Sequence, residues 1–232
     1  MASPTTSSRF SYTLFRTQEA RSIFLDRFEV CVADHPVILL KDRTVLQWLC
    51  GDTSFLPAIE AKNKTRDTIE WKKHEDEWGQ TTLEKARPDL RKTGQWTTCL
   101  GQTLARELVE VATGLSYTKP TKKDGFEPDG ETSQAMWEVK TQTYFTSGTA
   151  GEKILGVPYK YADVPYLYQK PLTILCIGGA ERDCREHYGI LPGDKVTANR
   201  QKTLDFWRDE LRIEYIGATD LMQDIVMAAK ST

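Results

Sequence analysis

The chain of 232 residues is long enough for one large domain or two small ones, with a sizeable buried core. Its 39% hydrophobic and 28% charged residues are typical of a globular protein, and a formal net charge of -2 gives no global sign of a nucleic-acid partner. Its five cysteines have no CxxC spacing, which argues against a disulfide framework and a structural zinc site.

The beginning of the chain shows no targeting signal. The first residues, MASPTTSSRFSY, lack a basic region followed by an apolar run. No stretch approaches the roughly 20 apolar residues that a membrane span requires. We therefore expect a cytoplasmic protein without a membrane partner, and a disordered segment over residues 1–8, which are rich in serine and threonine.

Residues 9–95 are predicted to form a helical elaboration. An amphipathic helix is expected from the N-cap Thr17 to about Ala33. Its apolar positions are Ile23, Phe24, Phe28, Val30 and Cys31. A second helix is predicted in RTVLQWLCG, and a highly charged helical stretch extends from Phe55 to Pro88. Because no linker rich in Pro, Gly or Ser follows, we expect this region to continue into residues 96–232 as one domain.

Residues 96–232 carry the pattern of an α/β fold. TTCLGQTLARELVEVATG predicts a helix that ends at Gly114. Strands are predicted in QAMWEVKTQTYFT, PLTILCIGG and RIEYIG. Helices are predicted in AERDCREHYG, QKTLDFWRDEL and TDLMQDIVMAAK. This order indicates a central mixed β-sheet flanked by helices.

The segment EPDGETSQAMWEVK places two carboxylates and one ammonium close together. In a strand, Glu138 and Lys140 share one face, because side chains two residues apart point the same way. A hairpin or bulge would return Asp129 to the side of Glu138. Two adjacent carboxylates repel unless a cation neutralises them, and Mg²⁺ prefers such oxygen ligands. With Lys140 beside an anionic substrate, this arrangement suits phosphodiester hydrolysis.

These residues also carry a resemblance. PDG followed by WEVK resembles the signature of the PD-(D/E)xK nuclease superfamily, the fold of many type II restriction endonucleases. The resemblance covers roughly residues 97–180, and it implies a restriction-endonuclease-like core. It implies Asp129 and Glu138 as the two catalytic acids and metal ligands, and Lys140 as the catalytic lysine.

The same resemblance implies a further glutamate from the helix before the strands. Glu107, in ARELVEVATG, is the candidate for this catalytic and metal-binding role. Glu110, one turn further along the helix, is the alternative. No pattern in residues 9–95 matches the superfamily, so a role in DNA recognition or dimerisation is the hypothesis for that region.

Several residues near the motif are candidates for contact with DNA. TSGTAGEKIL, residues 146–155, resembles the segment that follows the catalytic strand in several restriction enzymes, and its glycines, hydroxyls and lysine suit phosphate contact. Lysines of the preceding loop could grip backbone phosphates, or form an ordinary solvated loop. The candidates are Gln142, Thr146, Ser147, Thr149, Lys153, Lys122 and Lys123. For Gln142, an ordinary surface position without a ligand is an equally good interpretation.

Two further segments have open interpretations. YKYADVPYLYQK combines tyrosines with lysines, which suits nucleic-acid binding, although packing is the commoner role of tyrosine. NKTRDTIEWKK is a basic patch that fits either a solvated helix face or target recognition. Asp183, Cys184 and His187 are expected in a structural helix rather than at a metal.

The residue pattern and the resemblance together predict a Mg²⁺-dependent endodeoxyribonuclease. As a type II restriction enzyme it would cut double-stranded DNA at a specific short sequence and leave 5′-phosphate ends. A homodimer is expected, because one such site cuts one strand and twofold symmetry matches a palindromic target. The alternatives are a structure-specific repair or recombination nuclease, and a non-catalytic nucleic-acid-binding protein on the same fold.

Overall fold

A computed structural model describes residues 17–90, 95–146, 150–193 and 195–229. The segment for which disorder was predicted, and Ser147 and Thr149 of the predicted DNA-contact segment, lie outside the described residues. In the described part of the chain, a four-stranded mixed β-sheet is flanked by helices, which confirms the predicted α/β class. No described helix is both long and apolar enough to cross a bilayer.

The secondary structure follows the chain in three groups. The helices before the sheet are α1 (Gln18–Val32), α2 (Arg43–Leu49), α3 (Lys64–Ala86) and α4 (Trp96–Thr113), with a short 3₁₀ turn at Leu39–Lys41. The strands are β1 (Gly130–Glu131), β2 (Met136–Gln142), β3 (Leu172–Gly178) and β4 (Ile213–Gly217). The later helices are α5 (Ala150–Leu155), α6 (Val157–Lys160), α7 (Val164–Tyr168), α8 (Gly179–Asp183), α9 (Ala198–Leu211) and α10 (Ala218–Ala228). A π-helical turn, Cys184–Tyr188, continues α8.

The strands lie side by side in chain order. β1 and β2 form an antiparallel hairpin, whereas β2, β3 and β4 are mutually parallel. The two parallel crossovers contain helices, as parallel pairing requires. Every residue of β3 is buried, because its strand neighbours and helices cover it on all sides.

The predicted ends of several helices are confirmed by their caps. The Thr17 hydroxyl accepts a hydrogen bond from the amide of Ala20, and α4 ends at Gly114, whose positive φ of 68° suits glycine. The third predicted helix is shorter than expected. It starts after Asn63, whose side chain caps the amide of Arg66, rather than near Phe55.

The predicted apolar face of α1 is partly wrong. Val30 is 77% exposed and Ile23 is 47% exposed, whereas Leu25, Phe28 and Val32 are buried. The buried residues are spaced by three and four positions, so they form the stripe that packs on the core. The predicted apolar set did not include Leu25 and Val32, so it indicated a different face of the helix.

Two hydrophobic clusters cover the two faces of the sheet. Trp137 and Val139 of β2 belong to the cluster formed with α4, α10 and the N-terminal helices. Met136 and the opposite face of β3 pack against α5, α6 and α7. Glu138 and Lys140 lie on this second face, so the predicted alternation along β2 is confirmed.

The second face includes structure that the sequence analysis did not predict. The segment after β2, a candidate for phosphate contact, is helical from Ala150 onward, and two further short helices precede β3. These helices bury some tyrosines of the segment YKYADVPYLYQK and leave others exposed. Tyr161 and Tyr168 are buried in the cluster, whereas Tyr159 and Tyr166 are exposed.

The N-terminal helices are joined to the sheet through the carboxylate of Glu75. This α3 residue is buried, and its Oε1 accepts hydrogen bonds from Trp48 Nε1 at 2.7 Å and from the Tyr144 amide at 3.0 Å. Tyr144 follows β2 directly in the chain. The helical elaboration is therefore held against the end of the strand that carries the acidic motif.

Candidate active site

The hairpin of β1 and β2 brings Asp129 beside Glu138. Its register pairs Gly130 with Trp137, so Asp129 lies at the position opposite Glu138. The Asp129 Oδ2 accepts a hydrogen bond from the Val139 amide at 2.8 Å. That bond satisfies a strand amide at the point where β1 has diverged from β2. The hairpin that the sequence analysis allowed is therefore present.

Helix α4 fixes the second oxygen of Asp129. Gln102 Nε2 donates a hydrogen bond to Asp129 Oδ1 at 2.8 Å. A carboxylate has about four lone-pair directions, so these two hydrogen bonds orient it without exhausting its capacity to bind a cation. Asp129 is partly exposed and remains open to a ligand.

Glu138 is buried, and Lys140 is its one direct cationic partner among the described residues. It is 5% exposed, and Lys140 Nζ lies 2.6 Å from its Oε1. Burial raises the pKa of Glu138, the nearby charge of Asp129 raises it further, and Lys140 opposes the shift. Burial is therefore the main cause of the raised pKa of Glu138, and the nearby lysines only partly oppose it.

Two tyrosines stand close to the acidic pair. Burial and the charge of Glu138 raise the pKa of Tyr161 to about 12, and Lys160 Nζ donates to its hydroxyl at 3.3 Å. Tyr117 packs its ring against Gly130, where a Cβ would lie only 1.9 Å from the ring. Burial and the charges of Asp129 and Glu138 raise the pKa of Tyr117 as well. Both phenols therefore stay neutral near pH 7.

The pair suits a hard divalent cation. Asp129 and Glu138 offer carboxylate oxygens, and burial together with the charge of Asp129 raises the pKa of Glu138. Among the described residues no cluster of three or more His, Cys, Asp or Glu side chains could hold a metal ion. Two carboxylates still fit Mg²⁺, which commonly binds through one or two carboxylates and keeps several waters.

Glu107 has a different position from the one the resemblance implied. Its Oε1 accepts hydrogen bonds from the amides of Ile38 and Leu39, and its Oε2 accepts one from the amide of Leu40. Both oxygens are thus committed to the 3₁₀ turn. On a helix, Glu107 lies about 140° around the axis from Gln102, the residue that faces Asp129. Glu107 is therefore not part of the candidate metal site in this structure.

The alternative, Glu110, also has a structural partner. Its Oε1 accepts a hydrogen bond from the backbone amide of Tyr117 at 3.0 Å. Glu110 therefore holds the chain segment that carries the Tyr117 ring to Gly130. Its contribution to the acidic pair is indirect, through the placement of that ring.

The structure separates the predicted DNA-contact residues into buried and exposed groups. Gln142 is only 8% exposed and donates to Asp183 Oδ2 at 3.2 Å, so it faces the interior rather than a ligand. Thr146 is partly buried, and its hydroxyl pairs with that of Thr143. The lysines Lys122, Lys123 and Lys153 are exposed.

Lys123 is partly committed to the protein despite its exposure. Its Nζ donates to the carbonyl oxygen of Leu167 at 3.2 Å and lies 4.6 Å from the ring centroid of Tyr168. These contacts hold the loop before Asp129 against α7. Lys122 and Lys153 keep the greater freedom to meet a phosphate.

Sequence reasoning missed Gln102, Tyr117 and Tyr161 as neighbours of the pair. Gln102 lies on the same predicted helix as Glu107, but its neutral amide carries no sequence signal of a metal ligand. The tyrosines had no local signal that distinguished them from packing residues. Gly130 was the available clue for Tyr117, because a glycine beside a catalytic acid often permits close approach of another group.

Comparison of the chain with known protein families, with curated proteins and with solved structures finds no significant match.

Proposed function

We propose that the chain is a Mg²⁺-dependent endodeoxyribonuclease with a restriction-endonuclease-like core. The observation that carries this proposal is the juxtaposition of Asp129, Glu138 and Lys140 by one short hairpin. A structural hairpin has no need of a buried carboxylate next to a second one, since such a pair costs stability without a cation.

Asp129 and Glu138 are the residues that would hold the metal. When bound, Mg²⁺ would supply positive charge to the phosphodiester and lower the pKa of an attacking water. Val139 and Gln102 keep Asp129 in one orientation, and the strand fixes Glu138. The chain's contribution is therefore a preorganised pair of ligands that needs little rearrangement on binding.

Lys140 is the side chain suited to stabilise the charge that develops at phosphorus. Its ammonium is in contact with Glu138 and remains partly exposed to solvent. A lysine has three donors, so Lys140 can hold Glu138 and also donate to a water or a phosphate oxygen. Its position on the same strand face keeps it beside the metal-binding carboxylates.

The finer assignment is a type II restriction enzyme that acts on double-stranded DNA. The resemblance in PDG and WEVK supports it, as does the need for two sites to cut two strands. On this proposal two copies form a homodimer, the target is a short palindrome, and the products carry 5′-phosphate ends.

Incubation of supercoiled plasmid with the protein and Mg²⁺ tests the function. We expect discrete linear fragments whose ends ligate without phosphorylation, and no cleavage when EDTA replaces Mg²⁺. A smear or nicks confined to junctions would instead identify a structure-specific nuclease. Fragments with sequenced ends would give the target and the stagger.

The matched variants are Asp129→Ala and Asp34→Ala. Asp34 is exposed on the turn after α1, so its loss should leave cleavage unchanged. Asp129→Ala should abolish cleavage while DNA binding stays largely intact, since affinity comes mainly from phosphate contacts elsewhere. Cleavage by Asp129→Ala at the wild-type rate would remove the proposed metal site.

A further inference from the structure

An open pocket of about 450 Å³ adjoins the acidic pair on the side of α4. Gln102 and Arg106 of α4 line one wall, and Tyr117 and Asp129 line the other. Since Asp129 belongs both to this pocket and to the candidate metal site, a ligand in the pocket would lie next to the reacting centre. The volume falls within the range of roughly 300 to 1000 Å³ typical of ligand sites.

The cations that line the pocket differ in their partners. Lys119 forms an ion pair with Glu127 at 2.7 Å, and Arg87 is bound to Asp89. Arg106 is exposed and has no hydrogen bond or ion pair to any described residue. It lies one helical turn beyond Gln102 and about 40° around the axis, so both face the same side of α4. Arg106 is therefore a guanidinium in this pocket that no described residue occupies.

The wall opposite α4 supplies a second polar group without a partner. The Tyr117 hydroxyl oxygen is buried and has no hydrogen-bond partner among the described residues. The Tyr117 ring packs against Gly130, the residue next to Asp129. Because a buried polar group is usually paired, this hydroxyl is a candidate donor to a ligand in the pocket.

We infer that this pocket binds a phosphate group of the DNA backbone next to the one that is cut, with Arg106 as its anion-binding residue. A guanidinium binds phosphate through two parallel hydrogen bonds, which fixes the strand as well as attracting it. Gln102, one helical turn before Arg106, donates to Asp129, so a phosphate bound by Arg106 would lie close to the metal ligands. The inference rests on the proposed action on DNA and adds the residue that positions the strand.

DNA binding without divalent metal tests the pocket separately from cleavage. A fluorescein-labelled duplex of plasmid sequence is titrated with the wild type, Arg106→Ala and Arg106→Lys in EDTA at several salt concentrations. Each phosphate contact contributes about 0.9 to the slope of log K against log salt. We expect Arg106→Ala to lower affinity at low salt about three- to tenfold and to reduce this slope by about 1. Arg106→Lys should keep the slope and lose part of the affinity.

Two further variants give the contrast. Arg27→Ala removes an exposed arginine of α1 that does not line the pocket, and should leave affinity and slope unchanged. Tyr117→Phe removes a neutral donor, so it should weaken binding without altering the slope. Circular dichroism and thermal unfolding of each variant check that the fold is kept.

The possible results separate the two proposals. An Arg106-dependent slope in a protein that cuts no DNA with Mg²⁺ keeps the pocket and rejects the nuclease. An unchanged slope in Arg106→Ala, or an equal loss in Arg27→Ala, overturns the pocket, whatever the cleavage result. The absence of any DNA binding at low salt also overturns it. Free deoxynucleoside 5′-monophosphate could also stabilise the wild type, but not Arg106→Ala, against thermal unfolding. If it did so while the salt slope of DNA binding stayed unchanged, the pocket would be assigned to a mononucleotide instead.

Discussion

At the scale of single residues, Asp129 and Glu138 are treated differently by the fold. Asp129 is partly exposed and is oriented by the Val139 amide and Gln102. Glu138 is buried, and burial together with the charge of Asp129 raises its pKa. A carboxyl with a raised pKa beside a second acid and a lysine is a physical sign of a functional site.

The pH dependence of stability should report the ionisation of Glu138. Its pKa is raised above the ordinary 4.5, so its contribution to stability is complete below pH 4.5 and is lost as the pH rises through the raised pKa. We therefore expect metal-free protein to lose thermal stability over this window. Mg²⁺ should restore stability on the ionised side, because it binds the charged form.

Glu138→Gln provides the comparison. Thermal unfolding is followed from pH 4.5 to pH 8, with and without Mg²⁺, for the wild type and the variant. The neighbours Asp129, Lys140, Lys160, Tyr117 and Tyr161 are common to both proteins, so the difference between the curves isolates Glu138. Identical pH slopes and identical Mg²⁺ effects in the two proteins would contradict the assignment.

The cleavage rate should depend on both the charge and the shape of the side chain at position 140. We expect Lys140→Ala to lower the single-turnover cleavage rate by on the order of 100-fold or more, the scale of losing one preorganised donor. Lys140→Arg keeps the charge but has a planar, bulkier head, so it should also lose most activity. The measurement is cleavage of a specific duplex over a range of Mg²⁺ concentrations.

The control for these variants is Lys202→Ala, which changes an exposed lysine of α9. Metal binding should persist in both Lys140 variants, since lysine is not a ligand, and calorimetric titration measures it. A near wild-type rate for Lys140→Ala would reduce the WEVK pattern to coincidence and favour the non-catalytic binding protein.

At the scale of elements, α4 organises the site by presenting different residues around its circumference. Gln102 and Arg106 face Asp129 and the pocket, whereas Leu104 and Leu108 are buried in the core. Glu107 points to a third side and accepts the amides of the 3₁₀ turn. The helix thereby links the acidic pair, the sheet and the N-terminal region.

Substitution of Glu107 should affect stability rather than chemistry. Glu107→Gln replaces one acceptor oxygen with an amide donor, which leaves a backbone amide of the 3₁₀ turn without a partner. We expect the free energy of unfolding to fall by about 1 to 3 kcal/mol, the usual cost of an unpaired buried donor. Urea unfolding measures this change, and the cleavage rate of folded protein should stay within about twofold.

Glu210→Gln is the matched control, because Glu210 is an exposed residue of α9. Its unfolding free energy should equal that of the wild type within about 0.5 kcal/mol. If Glu107→Gln were fully stable but lost cleavage, Glu107 would return to the catalytic set that the resemblance implied.

At the scale of the whole molecule, two buried carboxylates join residues 17–90, the described part of the N-terminal region, to the rest of the chain. Glu75 of α3 accepts the amide of Tyr144 after β2, and Glu107 of α4 accepts amides that follow α1. The hydrophobic cluster on that face likewise includes residues from both regions. If the N-terminal region serves DNA recognition or dimerisation as proposed, it does so as a layer that is packed firmly against the sheet.

A mixing experiment tests the proposed homodimer. Wild type and Asp129→Ala are combined in equal amounts, allowed to exchange subunits, and incubated with supercoiled plasmid and Mg²⁺. Random pairing of dimers makes about half of them mixed, with one working site each. We expect nicked circles to accumulate that neither protein produces alone. Linear product at half the wild-type rate, with no nicked circles, would mean that each copy acts without its partner.

The sequence determined the features that depend on local periodicity and caps. The alternation along β2 placed Glu138 and Lys140 on one face, Thr17 and Gly114 bounded their helices, and the order of elements gave a mixed sheet. Such features are local, because side-chain direction in a strand or helix follows from the backbone repeat. The short separation of Asp129 and Glu138 allowed either a hairpin or a bulge, and the structure contains the hairpin.

Only the tertiary structure decided which residues of different elements meet. Gln102 and Glu107 lie close together in the sequence of α4. The packing of the helix nevertheless places Gln102 against Asp129 and Glu107 against the 3₁₀ turn. Gln142 shares the strand face of Glu138, yet helix α8 covers it with Asp183. A repeat fixes the face of an element, whereas the partner of that face depends on contacts between residues far apart in the chain.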